Sequence, residues 1–189
     1  MREEANKLET GVAHIPSGEG RRSLWVMGEM VTCKITSDRT NGAYSLFEIA
    51  TQSGDGPPPH VQHWEDEFFY VLEGDYEFLD GGRTIKASVG SMIYVPRGNL
   101  HAHKNVGEGG GRMLVSQTPG GSHERFFEEV GKPVDGDVGL LVFEDQPEMR
   151  RIVEVAAKYG IEIPPPIAEE TRGPLVEQGR VSGPLARNR

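Results

Sequence analysis

The sequence predicts an all-β fold followed by short helices, and three observations carry that prediction. Apolar and polar residues alternate with a period of two through most of residues 24–118, the pattern of half-buried strands. Turn formers punctuate those runs, with 25 Gly and 13 Pro among 189 residues, as a fold of many short strands requires. Only after Pro119 does the apolar spacing become helical. One domain is expected, because this length suits a full core and is too short for two ordinary domains with a linker.

Residues 1–22 are polar and glycine-rich and read as an arm able to pair with a partner subunit. Strands are predicted at 24–27 and 30–35 and, after the turn signal at 38–42, at 44–50. Pro57, Pro58 and Pro59 exclude a central strand over 51–59, since proline donates no ladder hydrogen bond and fixes φ. That loop delivers His60. A short strand begins at Val61, a loop follows at Glu65 and Asp66, and strands are predicted at 68–72 and 76–79. Asp80-Gly81-Gly82 is a hairpin turn, leading to strands at 83–87, 91–95, 100–105 and 112–118. Such a succession describes a sandwich or a barrel, and periodicity does not choose between them.

Ser122 is placed to cap a short helix whose Phe126, Phe127 and Val130 lie at helical spacing, with Gly131 at its end. A second helix is predicted over about 147–159, where Met149, Ile152, Val153, Ala156 and Tyr159 form one stripe. Asp145 and Glu148 have capping-box spacing, and Gly160 closes the helix. Both stripes are expected to pack on the outer wall of the β domain. Residues 164–189 have little apolar content and read as an extended or disordered tail.

Charge and cysteine usage exclude several classes. A formal net charge of -9 repels nucleic acid and anionic lipid, and no Lys/Arg cluster interleaved with aromatics interrupts it. Cys33 is the only cysteine, so no intrachain disulfide can form, and it reads as a small buried hydrophobe. The start MREEANKLE lacks the apolar core of a signal peptide, and no apolar run approaches the length of a membrane span. A cytoplasmic protein is the expectation.

Two segments concentrate the chemistry. Over residues 54–74, Gly54, His60, Glu67 and Gly74 stand at fixed spacing; over 90–105, Gly90, Pro96, Gly98, His101 and Asn105 do the same. These spacings resemble the two motifs of the cupin superfamily. The second motif is filled at every named position, whereas the first departs once: Gln62 stands where the family has its second His, and His63 follows it. Residues 118–133 and 153–163 further resemble the region after the barrel in bacterial monocupins similar to quercetin 2,3-dioxygenases. The resemblance implies a cupin barrel, a double-stranded β-helix or jelly roll, over 23–120 with its site in the mouth. Residues 121–163 would form a helical extension on that barrel.

In a strand, residues i and i+2 share one face and lie about 7 Å apart. A regular strand therefore turns His60 and Gln62 inward and His63 outward; a bulge would reverse the last two. With Gln62 set aside, His60, Glu67 and His101 supply two imidazoles and one carboxylate, a facial set suited to non-haem Fe(II). Gln62 has three available roles: weak amide ligand, orienter of a bound water, or hydrogen-bond partner of Glu67. His103 shares the face of His101, where it can replace the missing imidazole, line the pocket or relay protons. Phe69 shares the face of Glu67 and walls the pocket, with Met92 or Tyr94 as neighbours. His14 and His123 read as ordinary surface histidines, and the motif glycines as turn positions.

The resemblance implies a metal-dependent dioxygenase, an oxidoreductase acting on a small aromatic or polyketide-like enol, with Glu67 as catalytic base. Its cofactor would be a divalent transition metal, Fe first, with Ni, Mn, Co, Cu and Zn as alternatives. Two other classes stay open: a non-oxidative cyclase or isomerase using the metal as Lewis acid, and a binding protein without chemistry. The partners implied are a small-molecule substrate and a second copy of the chain in a homodimer.

Overall fold

The computed structural model describes residues 11–134 and 146–165. Every strand predicted from the alternating pattern is present near its expected bounds. They are β1 (Ser23–Val26), β2 (Glu29–Ile35), β3 (Ser45–Thr51), β4 (His60–Gln62) and β5 (Asp66–Glu73), followed by β6 (Tyr76–Asp80), β7 (Arg83–Ala87), β8 (Met92–Val95), β9 (Leu100–Asn105) and β10 (Gly111–Thr118). Two helices follow, α1 (Ser122–Val130) and α2 (Gln146–Lys158), and each is succeeded by a two-residue strand that the sequence did not signal, β11 (Lys132–Pro133) and β12 (Ile161–Glu162).

The strands form two antiparallel sheets, ordered β11-β1-β2-β3-β10-β5-β8 and β12-β4-β9-β6-β7. Between β3 and β10 the chain passes from one sheet to the other at every connection except the β6–β7 hairpin, the winding of a jelly roll. Alternation follows the pleat: along β3 the inward residues are Ser45, Phe47, Ile49 and Thr51, and along β10 they are Gly111, Met113, Val115 and Gln117. The inner faces meet in one core, where the rings of Phe69 and Phe78 lie 5.1 Å apart edge to face. Each large apolar side chain so buried contributes about 1.5–3 kcal/mol. The polar residues on those same inner faces, Glu67, Gln117, His101 and His103, are therefore exceptions that need a reason.

The helices differ from expectation in three respects. Ser122 does not cap α1: Gly121 precedes the helix with φ 110° and no side-chain cap, and the amide of His123 instead donates to the Glu65 carboxylate at 3.2 Å. A carboxylate from the β domain thus serves the helix N-terminus. The α1 stripe does not lie on the outer wall: Phe126 and Phe127 line the cavity that His60 and Glu67 also line, and Phe127 meets Phe47 edge to face at 5.2 Å. Ile152, Val155 and Ala156 of α2 join the same buried apolar cluster. Within α2 the buried stripe includes Val155, while Val153 and Met149 are exposed. The expected capping box of Asp145 and Glu148 lies outside the described side chains, as the N-terminal ten residues and the chain from 166 lie outside the described residues. Among the described residues no helix is long and apolar enough to cross a membrane.

Cys33 is partly buried against the core, and burial, followed by the charge of Glu124, pushes its thiol up to about 12. At pH 8 only roughly one molecule in ten thousand would carry the reactive thiolate. Alkylation by iodoacetamide at that pH is expected to be about a thousandfold slower in the native protein than in denaturant, by mass spectrometry. Equal rates would show that the thiol is open to solvent.

Candidate metal centre

The site is assembled from β4, β5 and β9. The proline loop reaches β4 by running its backbone against β9, so closely that a Cβ on Gly56 would fall 2.0 Å from the carbonyl oxygen of His103; only glycine fits there. His60 then opens β4 and stands opposite His101 in the β4–β9 register, the two rings 4.3 Å apart. Glu67 projects from β5 on the other sheet, and its Oε2 lies 2.7 Å from His101 Nε2. The ligand atoms of His60, Glu67 and His101 all lie within 4.8 Å of one another, so this set can hold a metal ion.

Hydrogen bonds fix which ring nitrogens are offered. His60 Nδ1 is 3.0 Å from the carbonyl oxygen of Pro58, and His101 Nδ1 is 3.1 Å from that of Asn99. A carbonyl only accepts, so each Nδ1 keeps its proton and each Nε2 is left for the cluster. Backbone support of this kind orients metal-binding imidazoles. Glu67 is oriented too, since Gln117 Nε2 donates to its Oε1 at 3.0 Å.

Electrostatics agree with a preformed cation site. Burial and the neighbouring His101 pull the His60 imidazole down to about 3, so it is neutral and its Nε2 lone pair is free. Burial of Glu67 opposes ionisation but is outweighed by the hydrogen bond and charge of His101, which hold the carboxyl well below the usual range. Burial likewise disfavours charge on His101, yet the bond to Glu67 prevails and raises it. One proton held between His101 and Glu67 stands in for positive charge, and a divalent cation bound by the set would displace it.

The other residues expected at the site divide by location. Gln62 is buried and, among the described residues, neither amide atom has a hydrogen-bond partner, the condition of a side chain whose partner is a metal, a water or a substrate. It does not bond Glu67; Gln117 does, a residue that the inward alternation of β10 could have signalled. His63 points outward as the regular strand requires, its Nε2 3.0 Å from Glu162 Oε2 on β12. His103 and Phe69 line the cavity. His103 Nε2 is 2.7 Å from Glu29 Oε1, while its buried Nδ1 has no partner among the described residues. Tyr94 and Met92 are more than half exposed on the opposite face of β8, with Tyr94 stacked near Phe68, and neither walls the pocket. His14 is at the surface as expected, but His123 is buried. Helical periodicity could not reveal that, because its partner Glu65 is remote in sequence.

The cavity beside the cluster lies between the sheets and under α1, with a volume of about 40 Å³. That is room for about three waters. Its walls are mostly apolar, including Ile49, Phe69, Val115, Phe126 and Phe127, with His60 and Glu67 exposed to it on one side.

Comparison with known proteins agrees with this architecture. The Cupin domain family model matches residues 47–116, spanning both motifs. An uncharacterized protein of Streptomyces coelicolor is 30% identical over 79 residues, which cover 42% of this chain and 71% of that relative. Among solved structures, KdgF from Halomonas sp. is similar with a TM-score of 0.47 and 16% identity, covering 51% of this chain and 85% of that one. A sugar phosphate isomerase from Silicibacter pomeroyi has a TM-score of 0.43 and 21% identity, with 48% and 59% covered. Oxalate oxidase has a TM-score of 0.44 and 24% identity, with 51% and 55% covered. With both motifs inside the matched segment and their histidines and glutamate gathered between the two sheets, the chain belongs to the cupin superfamily.

Proposed function

We propose that this protein is a metal-dependent oxygenase acting on a compact enol, with His60, Glu67 and His101 holding the metal and Gln62 beside them. The observation that carries the reading is the pair of Nδ1–carbonyl bonds, which presets both Nε2 atoms toward one ionised, buried carboxylate. When bound, a redox-active divalent metal would supply Lewis acidity and a place for dioxygen. The chain's own residues do the rest. Both oxygens of Glu67 are engaged, by His101 and Gln117, which suits holding a cation better than accepting a substrate proton. Phe69, Val115 and Phe126 exclude bulk water, strengthening electrostatics inside.

Cavity size narrows the substrate. About 40 Å³ is far below the roughly 300–1,000 Å³ of sites for drug-sized ligands, so an enol of a few carbons fits this reading better than a three-ring flavonol. The test is oxygen uptake by iron-loaded protein with pentane-2,4-dione and with quercetin. Uptake matched mole for mole by loss of the diketone is expected, with little on quercetin. Enol turnover without oxygen would move the assignment to a cyclase or isomerase, and binding of enols without turnover would leave a binding protein.

A further inference from the structure

Beside His101–Glu67 and His103–Glu29, Glu65 and His123 form a further buried pair that the metal reading leaves unused, and its His123 lines this cavity. Glu65 is 2% exposed and His123 5%. His123 Nδ1 lies 2.9 Å from Glu65 Oε2, while the His123 amide donates to Oε1 of the same carboxylate. The ring is wedged edge to face against Phe127 at 5.0 Å and Phe126 at 5.7 Å. It lines the same cavity as His60 and Glu67 without belonging to their cluster. Among the described residues its Nε2 has no hydrogen-bond partner.

Burying a carboxylate and an imidazole costs desolvation that their mutual hydrogen bond offsets only in part. The Glu65 carboxylate fixes the proton on Nδ1, so Nε2 is the acceptor atom. Helix α1 would therefore bring a poised imidazole over the cavity, and Glu65 would clamp it from the β domain at two points.

We propose that His123, oriented by Glu65, accepts the hydroxyl proton of the enol bound in this cavity; the proposal rests on the metal reading of His60, Glu67 and His101. The substrate O–H bond breaks and an N–H bond forms at His123 Nε2. The products are an enolate oxygen and an imidazolium paired with the Glu65 carboxylate, so charge and protons balance without an oxidant.

The experiment uses cobalt-loaded full-length protein, whose visible spectrum reports ligands at the metal. Affinities for pentane-2,4-dione, which must shed a proton, and for azide, which need not, are compared in wild type, His123→Gln, His123→Ala and Glu65→Gln. Expected are unchanged cobalt content, unchanged azide affinity and about a tenfold loss of diketone affinity in both His123 variants, with a smaller loss in Glu65→Gln. Equal weakening of both ligands would show that His123 only packs the cavity and would overturn the proposal. So would unchanged diketone affinity, or a wild-type spectrum indifferent to the diketone. Failure of wild type to take up cobalt would overturn the metal reading and this proposal with it, and is recognised before any ligand is added.

Discussion

His101→Ala is expected to purify without metal, its affinity for divalent ions reduced by at least about 100-fold. Two effects act together. One of only three strong donors is lost, and the Glu67 carboxylate, almost wholly buried, loses the imidazole that compensates its charge. Glu67→Gln should be comparably severe, since an amide oxygen replaces an anion. Gln117→Leu removes only the bond that aims Glu67, so a loss of about 10- to 100-fold is expected. His63→Ala should change nothing, because that ring faces solvent and Glu162. The measurement is elemental analysis of protein purified without chelator, followed by competition with a chromophoric chelator. Metal retained in His101→Ala at the wild-type level would refute the ligand assignment, and loss in His63→Ala would relocate it.

That graded series separates what sequence could and could not reveal. The strands were legible because one face of each is buried, so burial and sequence share a period of two. His60, Glu67 and His101 were legible because fixed spacing on strands of a known winding determines where they meet. Their support was not. Gln117 bonds a residue fifty positions away, and Glu65 reaches His123 across fifty-eight, distances over which no local pattern operates. The same limit explains the helices: spacing gave α1 its apolar face, but not that this face lines the cavity or that Glu65 receives its first turn. Likewise β11 and β12, two residues each, carry no periodic signal and exist because β1 and β4 offer them an edge.

Asn105→Ala is expected to destabilise the fold by about 3 kcal/mol. The side chain is fully buried and makes three hydrogen bonds. Nδ2 donates to the carbonyls of Thr51 at 3.1 Å and Gly109 at 2.8 Å, and Oδ1 accepts from Gly107 N–H at 3.0 Å. Each buried bond lost costs about 1 kcal/mol, which should lower Tm by roughly 6–12 °C in a domain of this size. Asn105→Asp should be worse despite its similar shape: it keeps the acceptor for Gly107 but turns an oxygen toward two carbonyl oxygens in a site without solvent. The backbone of Asn105 also pairs with Gly54 and Asp55, at the start of the loop that carries His60. Loosening this junction should therefore weaken metal binding as well as folding. Calorimetry with and without added metal checks both, and the metal-dependent rise in Tm should be smaller in Asn105→Ala than in wild type. An unaltered rise beside a lowered Tm would mean that the proline loop holds His60 in place without help from this asparagine.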